Sequence, residues 1–466
     1  MCSLRLHEAM IGSRRPWRPL LVKELWEVLA GRAFWTMLLL ECPLIGYSFI
    51  QAIALYSESS TAALQSSVLA ASLSPLDGIL VPTLGAFYVT VTLLFPFVAI
   101  RVLSHEKETG TLRLLVQLPY RPGTLITTKL VAVFCAWLLA SIPALCAVLI
   151  WVILGGHLYA PETLNLFFGH LLYGMLIGSI ALFAASISDS AATAAIITLA
   201  FTIGSWVLDF TAAGHPGVLG WLSQLSLTQT LRSFEQGLLS SARVVGIIAG
   251  SLGFAVLATA WVTPGTSARA RLVCSIACLV TIATVVGLAM RIKWSADLSE
   301  DRCNSFAAAD QWVLSKLSQP LTITVRLAPE DPRYADLRRN VLAKLERTVP
   351  DVTVRLAPEG KSLITSTGDE AYGEVEYSYA GQSTTSRSTG PREILPLLYG
   401  LAGVPAPAPE AGNEYSGYPL VADDRIALPW FFAGLPLLVL VGWWWSRRPP
   451  ALEAVTAATE ESHEPR

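Results

Sequence analysis

Apolar residues in this chain come in long unbroken runs rather than in one-sided stripes. A helix needs about 20 mostly apolar residues to cross a bilayer, because every backbone polar group must then be paired inside the segment. Eight windows meet that length: 34–56, 79–102, 127–154, 164–187, 192–213, 244–262, 272–290 and 428–445. Glu41 and Pro43 interrupt the first window and Asp209 the fifth. Between the seventh and eighth the pattern changes to short alternating and helical-period stretches. These predict strands at 321–327 and 352–356, a hairpin at 372–379 turning at Gly381, and helices at 334–348 and 392–401. The expected architecture is an α-helical polytopic membrane protein of about eight transmembrane helices, with a small extracytoplasmic α/β domain inserted between helices seven and eight.

Lys and Arg set the expected orientation, since they concentrate in short cytoplasmic loops. Arg5, Arg14, Arg15, Arg18, Lys23 and Arg32 precede or open the first span and put the N-terminus in the cytoplasm. Loops 57–78 and 155–163 hold no Lys or Arg, whereas loop 103–126 has Lys107, Arg113 and Arg121, and loop 263–271 has Arg269 and Arg271. Alternation then places 291–427 outside and Arg447 and Arg448 inside. Segment 214–243 is expected outside yet contains Arg232 and Arg243. Its apolar positions Trp221, Leu222, Leu225, Leu231, Phe234 and Leu238 suit an amphipathic helix on the outer surface, with a plain loop as the alternative. The expected division is a cytoplasmic amphipathic segment (1–33), a six-span unit (34–263), a seventh span (264–290), the extracytoplasmic domain (291–427), an eighth span (428–446) and a disordered cytoplasmic tail (447–466).

Composition agrees with the pattern. Hydrophobic residues make up 53% and charged residues 15%, against roughly 25% charged in soluble domains. A net charge of −2 without a basic tract excludes nucleic acid as a partner. The cysteines, at 2, 42, 135, 146, 274, 278 and 303, lack zinc or disulfide spacing. Cys274 and Cys278 share a helix face inside an apolar run, where they read as packing residues, and no metal is expected. The six histidines form no ligand motif, and no G-x-S-x-G elbow occurs. Gly360-Lys361-Ser362 ends like a phosphate-binding loop, but the glycine required at 355 is Arg. The chain is therefore not expected to be an enzyme or to bind a cofactor itself. Trp443, Trp444 and Trp445 before Arg447 read as an interfacial anchor. Ionisable residues inside spans usually face a protein interior or a water pathway. Glu41 and Asp209 are the candidates for a translocation path, with structural pairing as the alternative.

One polar string stands out among the greasy ones. The sequence LSHEKETGTLRLLVQLPYRPG, residues 103–123, reads as a short charged helix, a Gly110 break, and an apolar helical turn stopped at Pro119. It suits a projecting contact for a soluble partner; a solvated inter-helix loop is the alternative.

The continuation EKETGTLRLLVQLPYRPGTLITTKL, ending near Lys129, resembles the signature of ABC-2 type transporter permeases. Residues 20–35, LLVKELWEVLAGRAFW, resemble the amphipathic helix those permeases carry ahead of their first span. The resemblance implies a permease subunit, an exporter, in a bacterial cytoplasmic membrane, docked through loop 103–126 onto a separate ABC ATPase that holds the ATP and Mg²⁺. It implies coupling residues at Glu106, Lys107, Glu108, Thr109, Gly110, Thr111, Leu118 and Pro119, a homodimer or paired permease, and contact with membrane lipid. It names no substrate. A second string, DLSEDRCNSFAAADQWVLSKLSQPLTITVRL at 297–327, resembles the start of the auxiliary component of gliding-motility-type ABC transporters, which implies a fusion of two ordinarily separate chains. The insert is shorter than that component, so no binding residues carry over. A rival of a different class is a non-transporting membrane scaffold, whose outer domain binds an envelope partner while the ATPase drives conformational work.

Overall fold

The computed structural model describes residues 17–118, 120–212, 226–292, 294–329, 331–357, 371–407 and 415–447, with side chains at 209–212 excluded. Helix α1 (Trp17–Ala30) is amphipathic: Leu20, Glu24 and Val28 recur at four-residue spacing on its buried face, while Trp17, Val22 and Trp26 stay exposed. Gly31, extended, breaks it from α2 (Arg32–Ala63). A side chain at Gly31 would press on the carbonyls of Val28 and Glu27, so the sharp junction depends on the missing Cβ.

Among the described residues, eight helices are long and apolar enough to cross a membrane, matching the eight windows. They are α2, α3 (Leu76–Glu108), α5 (Pro122–Ile153), α6 (Ala160–Ile187), α7 (Ala191–Ala212), α9 (Ser241–Val262), α10 (Ala268–Arg291) and α14 (Asp424–Ser446), with the short α4 (Thr111–Gln117) between α3 and α5. The spans exceed the sequence windows at most ends because helices continue past the hydrophobic edge into charged turns. Pro43 lies inside α2, which runs through it unbroken. Helix α6 forms the centre of the bundle, with 72% of its most apolar window buried, whereas only 6% of that of α10 is. Gly174 and Gly178, one turn apart, let α6 lie against Trp137 and Val133 of α5, where an added Cβ would meet those side chains within 3 Å.

The insert between α10 and α14 is a separate α/β domain. Its sheet has the order β4-β3-β5-β6, with β3 (Leu321–Val325) parallel to β4 (Val352–Leu356) and antiparallel to β5 (Val375–Tyr379), which pairs with β6 (Gln382–Ser386). Strict alternation buries Leu321, Ile323 and Val325 together with Val375, Tyr377 and Tyr379. That face packs with α11 (Ala308–Ser315), a helical run over 332–348 (α12), and α13 (Pro391–Ala402) into one core. The β5–β6 turn uses Ala380 and Gly381, both at positive φ, the geometry favoured for two-residue hairpins. Helix α11 goes beyond the sequence expectation, and β6 is the return strand of the hairpin expected to turn at Gly381.

The α/β domain is tied to the far end of the bundle from α1. Strand β1 (Leu238–Ser240), just before α9, pairs antiparallel with β2 (Ser295–Asp297), just after α10. Glu300 then makes three contacts at once. His157, between α5 and α6, lies 2.9 Å from its carboxylate; the Tyr418 hydroxyl donates to it at 2.6 Å; and its N–H donates to Glu162 of α6. The His157 and Tyr418 rings stack at 3.6 Å. The return segment closes the junction along α2, where the N–H groups of Leu420 and Ala422 donate to Ser60 and Ser57.

In the segment expected to lie on the outer surface, α8 (Leu227–Glu235) is described, and Trp221, Leu222 and Leu225 lie outside the described residues. Leu231 and Phe234 are buried against the bundle, with the Phe234 side chain over Gly169 of α6. The apolar face of α8 therefore meets protein. The Gly360-Lys361-Ser362 turn and the tail beyond Arg447 lie outside the described residues.

Candidate functional site

The charged string after the second span is the last turn of that span. Helix α3 continues through His105, Glu106, Lys107 and Glu108, and ends where Gly110 adopts the left-handed conformation with φ 75°. Successive residues on a helix point about 100° apart. Three consecutive charges at a helix end thus reach three different neighbours.

Glu106 points into the protein and is 2% exposed. It meets Lys23 of α1, and its other oxygen lies 2.7 Å from Lys129 of α5. The Lys129 ammonium, fully buried, also donates to both carboxylate oxygens of Glu24 at 2.8 and 2.9 Å and to the Val102 carbonyl at 2.9 Å. Lys23 lies 3.1 Å from Glu27, one turn along α1. Glu24, Glu27 and Glu106 bring carboxylate oxygens within 4.8 Å of one another. The ammonium groups of Lys23 and Lys129 sit among them and supply the positive charge that a metal would otherwise bring. Burial works against the charge on Lys23, but Glu24, Glu106 and Glu27 outweigh it and hold its pKa above the ordinary lysine value.

Lys107 turns to the other side. Its ammonium donates to the carbonyls of Ala185, Ser186 and Ser188 at 2.7, 2.6 and 2.9 Å, which caps the end of α6. Helix ends leave their last carbonyls unpaired, so one lysine there satisfies three acceptors. Glu108 accepts from the Ala191 N–H at 3.4 Å, at the start of α7, where a carboxylate also complements the helix dipole. Thr109 donates back to the His105 carbonyl at 2.8 Å, and its hydroxyl meets that of Thr111. Beyond Gly110, α4 buries none of its seven residues. Leu112 packs toward the bundle, while Leu114 is 65% exposed beside exposed Arg113 and Gln117. Leu118 is half-buried, and Pro119 lies outside the described residues. The result is an exposed, partly apolar helix on a base anchored to α1, α5, α6 and α7.

Known proteins can be set beside this geometry. Residues 18–235 match the model of a family described as ABC-2 family transporter protein. That ABC-2-like part runs from α1 to the end of α8 and is just under half of the chain. It contains the anchored last turn of α3 together with α4, and supports a membrane permease of an ABC transporter, a multi-pass subunit that is not itself catalytic. No curated protein and no solved structure matches the chain. The family match stops short of the α/β domain.

Of the residues expected to couple to a partner, Glu106 and Lys107 face inward and Glu108 reaches the next span, leaving Thr111 and the α4 side chains on the surface. Sequence reasoning did not assign Lys23, Glu24, Glu27 or Lys129 to the site. Their signal was present in Glu24, a carboxylate on the stripe defined by Leu20 and Val28. The two candidates for a path lie elsewhere. Glu41 sits on the buried face of α2, fully enclosed, with no hydrogen-bond partner for either oxygen among the described residues. The Asp209 side chain lies outside the described residues. His170 of α6, also fully buried, has neither ring nitrogen hydrogen-bonded among the described residues; its ring lies 5.8 Å from Phe87.

Proposed function

We propose that this chain is the membrane-spanning subunit of an ATP-driven ABC-2 type exporter in a bacterial cytoplasmic membrane, with the α1 end in the cytoplasm and the α/β domain outside. Helix α4 is the docking element for a separate ATPase, which carries ATP and Mg²⁺. The observation that supports this most is the set of ties at Glu106, Lys107 and Glu108. A push on α4 is delivered through one rigid turn to the lead-in helix and the third span by Glu106, to the end of the fourth by Lys107, and to the start of the fifth by Glu108. Two chains would pair to meet an ATPase dimer. The α/β domain would serve as an auxiliary module like that of gliding-motility-type systems. Glu41 is the first candidate to line the path, because an enclosed carboxylate without a partner is expensive in a membrane and is usually kept for function.

The junction around Glu300 favours a second reading. The α/β domain is held to α2, α6 and the β1–β2 ribbon by many contacts, as a part that receives conformational work would be. In the scaffold reading the ATPase moves this domain against an envelope partner and nothing crosses the bundle. The test is the distance between spin labels on Arg113 and Arg392 in the complex with its ATPase. An ATP-dependent change that Lys107→Met removes, without loss of the bound ATPase, supports coupling through the α3 turn. A distance insensitive to ATP would refute it. Substrate-stimulated ATP hydrolysis in proteoliposomes separates export from scaffolding.

A further inference from the structure

We propose that the groove where α1, α2 and α3 meet binds the headgroup of an anionic phospholipid. The groove is a cavity of about 200 Å³. Its polar lining is Arg101 and His105, four residues apart and therefore on one face of α3, with Glu27 opposite. Its apolar wall includes Phe34 and Val98, and Trp26, 45% exposed, stands at its rim.

Three observations point to a lipid phosphate. Arg101 is exposed and has no carboxylate or carbonyl partner among the described residues, although Lys23, Lys107 and Lys129 at the same end of the bundle are all engaged. A guanidinium offers a planar fork that matches a phosphodiester. Its position is also fixed: the Gly31 break brings the α1–α2 junction to it, and a Cβ built on Gly31 would lie 3.7 Å from Arg101 Nε. Finally, the residues around the groove are of the kinds that gather at the headgroup level of a bilayer. Arg101 belongs to the last two turns of a spanning helix, Arg32 opens another, and the exposed Trp17 and Trp26 of α1 are the aromatic residues that settle at membrane interfaces. Glu27 would repel a phosphate, but Lys23 holds it at 3.1 Å. A Trp-rimmed groove with apolar walls and an uncommitted guanidinium suits a headgroup above and an acyl chain below. The inference requires only that this end of the bundle meets a headgroup layer, so it stands apart from the transport reading.

The test is native mass spectrometry of the full chain in mild detergent with equal phosphatidylglycerol and phosphatidylcholine. The phosphatidylglycerol adduct should dominate, Arg101→Gln should weaken it about five-fold, and Arg101→Lys should keep most of it. Glu27→Gln should strengthen the adduct, which keeps the proposal open to refutation if Arg101→Gln fails to fold. Equal retention of the two lipids would overturn it, as would an adduct indifferent to Arg101→Gln or unchanged by Glu27→Gln. Displacement of the adduct by millimolar inorganic phosphate, with the same dependence on Arg101, would assign the groove to free phosphate and likewise overturn the lipid.

Discussion

Lys129 is a residue whose role reads plainly only once the chain is folded. Its ammonium is enclosed with Glu24 and Glu106, and removing one member of a buried ion cluster leaves the others uncompensated. Lys129→Met should destabilise the subunit by about 3–5 kcal/mol, read as a large drop in melting temperature in detergent. Glu24→Gln together with Lys129→Met should recover much of that loss, because the remaining Glu106 still has Lys23. In the α/β domain, Asp331 caps α12 by accepting from the Arg333 N–H at 2.9 Å and also takes the Arg333 guanidinium and the Tyr372 hydroxyl. The hydrogen bond from Arg333 leads in holding its carboxyl below the ordinary carboxylate range. A depressed folded pKa contributes stability that is complete above the unfolded value of about 3.9 and is lost as pH falls through the folded one. Hydrogen exchange over 331–348 should therefore stay constant from neutral pH down to about 4, once corrected for intrinsic rates, and rise below. Asp331→Ala should remove that acid step and cost about 1 kcal/mol at neutral pH. The pairings of Lys129 could not be read from spacing, since it lies 105 positions from Glu24.

Helices were the most legible elements. A run of about 20 apolar residues has one solution in a bilayer, so all eight spans stood out in the sequence, including the one carrying Pro43. The strands 352–356 and 375–379 were legible for a similar reason, because alternation assigns one face to a core. The β1–β2 ribbon was not, since three-residue strands carry no period and its partners come from either side of two spans. The charged turn after Ser104 was recognised as helical, but its burial was hidden: charge runs usually lie in water, and here each member has a specific acceptor or counter-ion. Gly110 at φ 75° separates that turn from α4, so Gly110→Ala should cost about 1 kcal/mol and tilt α4. At the opposite end, Glu300→Gln with Tyr418→Phe should raise hydrogen exchange selectively in 295–305 and 415–423. Exchange unchanged in both segments would show that the ribbon alone holds the domain.

At the scale of the whole molecule, an exposed helix at one end and a folded domain at the other are joined through spans whose ends are clamped to them. Glu106 to Glu108 clamp one end, and Glu300 with its partners clamps the other. The eight spans and the α/β insert were legible in the sequence; the clamps were not, because they are long-range polar contacts between residues that look like ordinary loop charges. The central claim is that α4 receives an ATPase. Affinity purification of the full chain from its native membrane, with identification of what accompanies it, tests this most directly. An ABC ATPase should be recovered with the wild-type chain and with Lys107→Met, whose altered side chain is turned into the bundle, and it should be lost with Leu114→Glu on the open face of α4. Recovery of the ATPase with Leu114→Glu, or its absence from the wild-type sample, would contradict the claim.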